Sequence, residues 1–142
     1  MAEVAYNRGK TRLANGSTNG ATSDLRMLVI AGASLPAGWS NADLNTVADL
    51  DAVTGLDIHT ERIALASLTV TQDDTNDRAN LDAANVVFAA AAGVTARAVV
   101  IYDHAAGGSD SARYLICGSS TGLPQPMDGG LTIAIADWAR LT

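Results

Sequence analysis

Leu131, Ile133 and Ile135 alternate with Thr132, Ala134 and Ala136 ahead of Asp137-Trp138-Ala139-Arg140-Leu141-Thr142, the period of a strand with one face buried. From Thr60 onward the chain keeps this character, with short apolar runs separated by turn clusters. Ile58 to Thr71 is rich in Thr, Ile, Leu and Val and predicts one long strand, bulged near Ala66-Ser67 where the apolar phase shifts. The densest turn signal follows, Gln72-Asp73-Asp74-Thr75-Asn76-Asp77. Leu81 and Ala83, then Val86, Val87 and Phe88, predict one or two further strands. Ala96 to Tyr102 reads as an inner strand and Ser111 to Cys117 as another. His104 to Asp110 connects these two, and Gly118 to Gly130, with Pro124 and Pro126, is the longer connection after them.

The first part of the chain reads differently. Residues 1–24 are polar and broken by Gly9, Gly16 and Gly20, which predicts a helix or turn near Val4 to Ala14 and then a loose loop. Arg26-Met27-Leu28-Val29-Ile30-Ala31 is continuously apolar after its arginine, as in a central strand covered on both faces. Beyond Gly32, Pro36 and Gly38, a short helix is expected from about Ala42 to Asp51. Ser40 or Asn41 would cap it, and Leu44, Val47, Ala48 and Leu50 would form its inner side. The expected fold is mainly β, an antiparallel β-sandwich or barrel with one or two short helices and an extended N-terminal arm. Residues 1–24 would form that flexible arm and residues 25–142 a single β-rich domain.

Composition narrows the partners. The 142 residues are enough for one domain that buries on the order of 70% of its unfolded surface. Hydrophobic residues make up 48% and charged residues 17%, with aromatics at 4%, so the core must be built mostly from small and aliphatic side chains. Fifteen acidic residues against nine basic ones give a net charge of −6, which offers no basic stripe for a nucleic-acid backbone. No apolar run reaches the roughly 20 residues of a membrane helix, and Met1 to Lys10 lacks the apolar centre of a signal peptide. A chain made and kept in a cytoplasm, unless released by lysis or in a larger particle, is therefore expected. Cys117, the only cysteine, excludes an internal disulfide and is expected to be packing within Tyr114-Leu115-Ile116-Cys117.

Each arrangement that suggests chemistry has a defect. Asp73, Thr75 and Asp77 have the first three spacings of a calcium loop, and Asp74 and Asp82 lie nearby. Arg78 stands where such a loop needs glycine, however, and Ala84 where it needs glutamate; a structural turn is expected instead. Asp103, His104, Ser109 and Ser111 are close in sequence without a nucleophile elbow, and His59 sits beside Thr60-Glu61-Arg62. Neither histidine has a companion set for a transition metal. Gly9-Lys10-Thr11 resembles the end of a phosphate loop, but Val4 occupies the position of the required earlier glycine. No catalytic, cofactor-binding or metal-ligating residue is assigned, and an enzyme is not expected. Trp39, after Pro36-Ala37-Gly38, would be either a lid over the core or an exposed anchor for a partner; Trp138 would be core.

Several stretches, in matching order over nearly the whole chain, resemble a family of small tailed-bacteriophage virion structural proteins. They are Tyr6-Asn7-Arg8-Gly9-Lys10, Leu68 to Ala79, Leu81 to Phe88, Ala98 to Tyr102, Asp110-Ser111, and Gly130 to Ala139 with the closing Leu-Thr. The resemblance implies a virion component and carries no enzyme motif. The loop Ala105 to Ser109 and the segment Pro124-Gln125-Pro126 depart from it, and both are connections, where variation is tolerated. The function expected is a capsid decoration, or cement, protein on the outer surface of the head. Its partners would be the major capsid protein and further copies of itself, for instance as a trimer. The N-terminal arm would contact the capsid, and the strands near Val99 and Ile133 would form the core. A minor tail or head-to-tail junction protein is the alternative; a host-surface-binding module using Trp39 or the acidic loops is a further one.

Overall fold

The computed structural model describes residues 4–76, 78–104, 108–135 and 139–141. In chain order the strands are β1 (Val4–Ala5), β2 (Leu25–Ala31), β3 (Asp57–Ala64), β4 (Thr69–Asp73), β5 (Arg78–Asp82), β6 (Val86–Phe88), β7 (Thr95–Ala96), β8 (Ala98–Asp103), β9 (Tyr114–Ser119), β10 (Gln125–Pro126), β11 (Leu131–Ile133) and β12 (Ala139–Leu141). Helix α1 spans Asn7–Ala14 and α2 spans Val47–Asp51, with 3-10 turns at Ala37–Ser40 and Asp110–Ala112. The fold is mainly β and antiparallel. A five-stranded sheet runs β1-β9-β8-β2-β3, and smaller sheets pair β10 with β7, β11 with β6, and β12 with β5 and β4.

Strand alternation divides the core into two layers. Along β2, Leu25, Met27 and Val29 point to one face while Leu28 and Ile30 point to the other; β8 repeats this with Val99 and Ile101 against Ala98, Val100 and Tyr102. The first face packs on Leu81, Val86, Phe88, Met127 and Leu131 from the small sheets and their loops, a sheet-on-sheet arrangement. The second is covered by Tyr6, Trp39, Val47 and Leu50. Both central strands are thus buried on two sides, as the continuous apolar runs predict. Each fully buried Leu, Ile or Val contributes about 1.5–3 kcal/mol relative to an exposed one.

The segment expected as one long strand is two strands in different sheets. Leu65 is buried and Leu68 packs against the same core layer. Residues three apart in a continuous strand point to opposite faces, so burying both requires the chain to turn between them. Ser67, at φ +52°, makes that turn. The phase shift near Ala66-Ser67 is therefore a corner between sheets rather than a bulge. A true irregularity lies in β9, where Tyr102 pairs with Leu115 and Ile101 with Cys117, leaving Ile116 as the extra residue.

The second helix is shorter than expected. Thr46 caps it, accepting from the Asp49 amide at 3.2 Å, while the Asp49 carboxylate accepts from the amides of Asn45 and Thr46 at 3.0 and 2.9 Å. Thr46 also bridges to Tyr114 on the sheet, which holds it extended and prevents the helix from starting at Ala42. Asn41 instead closes a turn onto the Asp43 amide at 3.1 Å.

Residues 4–24 lie along the body rather than extending from it as the expected arm. Val4 and Ala5 pair with Gly118 and Cys117, Tyr6 is fully buried, and its hydroxyl donates to the Trp39 carbonyl at 2.8 Å. The helix expected near Val4 to Ala14 forms, and Gly9 on it meets β9. After it, the Asn15 and Asn19 side chains accept from the amides of Ser17 and Ala21, both at 2.9 Å, so the polar cluster is a series of closed turns. What holds the segment is supplied from residues far along the chain, which local composition does not reveal.

Candidate functional site

The acidic segment is the tip of the β4–β5 hairpin. The Asp73 carboxylate accepts from the Asn76 amide at 3.3 Å and from its side-chain amide at 2.9 and 3.1 Å; Gln72 donates to Asp74. Asp82 accepts from the Ala83 amide at 2.8 Å, and Asp77 lies outside the described residues. These carboxylates satisfy backbone and neighbouring amides, as an Asx-rich turn does. Among the described residues, His, Cys, Asp and Glu side chains form no group of three able to hold a metal ion.

Asp103 and His104, neighbours in sequence, are separated by alternation, and Ser109 and Ser111 lie at the 3-10 turn Asp110–Ala112. The Asp103 carboxylate is taken by Arg12 at 2.9 Å and by the Thr18 hydroxyl. His104 instead meets the Tyr102 ring edge-on, with centroids 6.1 Å apart, and the Ser109 and Ser111 hydroxyls bond each other at 2.9 Å. His59 accepts from the Glu61 amide at 3.3 Å through Nδ1. Gly9-Lys10-Thr11 lies within α1, not at the entrance of a helix where a phosphate would sit. Burial pushes the Cys117 thiol up to about 12, which leaves it protonated and unreactive. Trp39 is buried and lies over the second core layer, so it is a lid and offers no surface anchor. Trp138 lies outside the described residues.

His104 has one measurable consequence. Burial holds its pKa below the usual 6.5, assisted by the charges of Arg26 and Arg113 and opposed by those of Asp24 and Asp103. In the window just below pH 6.5 the unfolded chain then binds a proton that the folded one refuses. Its contribution to stability is present above that pH and is lost as the pH falls through the folded value. Urea midpoints should drop between pH 7.5 and 5.5, and His104→Gln should flatten that slope; an unchanged slope would show that His104 carries no such linkage.

Two features were not legible from residue patterns. The first is a buried ion pair between α1 and β8: Arg12 donates through Nη2 to Asp103, through Nε to the Thr18 hydroxyl at 3.0 Å, and lies over the Tyr114 ring at 4.4 Å. Arg8, one turn earlier, lies 5.2 Å from the same ring. An arginine every fourth residue was the available signal, but its partners are far away in sequence.

The second is a free strand edge. β4 ends the three-stranded sheet, pairing with β5 on one side only among the described strands. Thr69, Val70, Thr71 and Gln72 are all exposed, with Val70 at 47%. Val87, on β6, is 61% exposed. An unpaired edge bearing an exposed valine is a template for strand addition, which makes it a candidate surface for a protein partner. No helix among the described residues is long and apolar enough to cross a membrane. Comparison with protein-family models, with curated proteins and with solved structures finds no match.

Proposed function

We propose that this chain is a structural component of a tailed-bacteriophage virion, a decoration protein that binds the outer surface of the major capsid protein and braces the head. The observation that carries the reading is the exposed edge β4. It lies within the stretch Leu68 to Ala79 that bears much of the resemblance to small virion proteins, and it presents backbone donors and acceptors to a neighbouring chain. A body of antiparallel sheets with both faces of its central strands packed suits a brace, since it resists deformation. With residues 4–24 held along the body, contact with the shell falls to this edge and to the exposed valines rather than to a free arm.

Locating the chain in an image reconstruction of intact particles tests the proposal. Copies comparable in number to the shell subunits support decoration. A single ring of copies at the tail or its junction overturns it in favour of the alternative placement, and absence from particles overturns both. Val70→Lys should leave folding unchanged, because the side chain is exposed, and weaken attachment to shells by about tenfold or more. Undiminished attachment would show that β4 is not the contact.

A further inference from the structure

Beyond Leu28 and Val100, one end of the second face of the five-stranded sheet becomes polar. Arg26 pairs with Tyr102 on one side and Ala64 on the other, and Leu28 pairs with Arg62. By alternation these two arginines share the face that buries Tyr102. Arg113 stands two residues before Leu115 in extended conformation and joins them. Three guanidinium groups and His104 thus gather around one phenol, in a chain whose net charge is −6. Among the described residues, two carboxylates pair with these arginines. Asp24 holds Arg26 at 3.1 Å; Asp110 lies 2.5 Å from Arg113 and 3.9 Å from Arg62.

The cluster also leaves hydrogen-bonding groups unused. Among the described residues, Tyr102 Oη, His104 Nδ1 and Arg113 Nε are buried without a partner. A buried unpaired polar group costs about 1–3 kcal/mol, and three of them on one face at this end of the sheet mark a place that an additional acceptor completes. Arg113 Nε can only donate, and burial raises the pKa of Tyr102 so that its hydroxyl keeps its proton. A neutral His104 also donates from Nδ1 when its proton sits there.

We propose that this end of the sheet binds an oxyanion, a phosphate or carboxylate group. Arg113 Nε and Tyr102 Oη donate to it, and Arg26 and Arg62 supply the surrounding positive charge. Asp110 holds the arginines in its absence. It sits on the short 3-10 turn Asp110–Ala112 with its side chain 38% exposed, so it can swing outward as the anion enters. Planar guanidinium groups suit both classes of oxyanion by paired donors.

Calorimetric titration of the full chain with inorganic phosphate, and separately with acetate, at constant ionic strength, tests the site. Saturable binding of either anion supports it and identifies the preferred geometry. Tyr102→Phe removes only the unpartnered hydroxyl; it should leave the fold at least as stable and weaken binding about fivefold to tenfold. Asp110→Asn removes the resident competitor and should strengthen binding by a similar factor. The proposal is overturned if neither anion binds saturably, which would leave the three groups to water, or if both variants bind as the parent does.

Discussion

Gly9→Ala is expected to lower stability by about 2–3 kcal/mol, the loss typical of overpacking in a closed site. In an ordinary helix interior the same change would gain about 1 kcal/mol, so the sign is the test. A Cβ at position 9 would lie 2.6 Å from Ile116 Cα, 2.6 Å from the Leu115 carbonyl oxygen and 2.8 Å from the Ile116 oxygen. These are backbone atoms of β9 and cannot rotate away. The helix would have to withdraw from the sheet, straining the β1 pairing to Gly118 and Cys117 on one side and the reach of Arg12 to Asp103 on the other. Thermal unfolding should show a fall of roughly 5–10 °C for a chain of this length. Lys10→Ala, on the exposed side of the same helix, should change stability by no more than about 0.5 kcal/mol. Equal behaviour of the two variants would mean that α1 does not rest on β9.

The second large effect is expected at the ion pair. The Asp103 side chain is 1% exposed and that of Arg12 16%, so removing the cation strands a charge that water cannot reach. Arg12→Ala should cost about 3–5 kcal/mol, the range for breaking a buried pair. Arg12→Lys should recover little of it. Lysine supplies a charge, but not the second donor to Thr18 or the flat face on Tyr114 that the guanidinium uses. Replacing both Arg12 and Asp103 by leucine should cost less than the two single changes added together, with a coupling of up to about 3 kcal/mol in a double-mutant cycle followed by urea denaturation. Strict additivity would show that the pair contributes no interaction of its own. In both cases β1 and α1 are fastened to β8 and β9 of the central sheet.

Much of the β framework was legible because strand periodicity is a local signal. Arg26 to Ala31 and Ala96 to Tyr102 are nearly continuous apolar runs; the first became β2 and the second, from Ala98 on, became β8, the two strands buried on both faces, while Ala96 fell to the separate strand β7. The hairpin tip at Asp73 to Asn76 was readable for a similar reason, since Asp and Asn bond backbone groups only a few residues away. The corner at Ser67 was visible as a phase shift but not interpretable, because a bulge and a change of sheet disturb the pattern alike. The start of α2 was misplaced because the residue that stops the helix, Thr46, is restrained by Tyr114 across the fold. The free edge at β4 was hidden for another reason: a strand's own residues do not state whether both of its sides are paired.

By itself the sequence determined the class of fold, the inner strands, the turn chemistry and the burial of Cys117, all of which follow from the order of residues within a few positions. Only the tertiary structure decided that residues 4–24 belong to the body and that Arg12 answers Asp103. It also decided that Trp39 faces inward and that three arginines meet Tyr102 at one end of the sheet. These depend on pairs brought together across tens of residues. Charge, shape and hydrogen-bonding capacity are written in each residue, but which of them meet is settled by packing the whole chain at once.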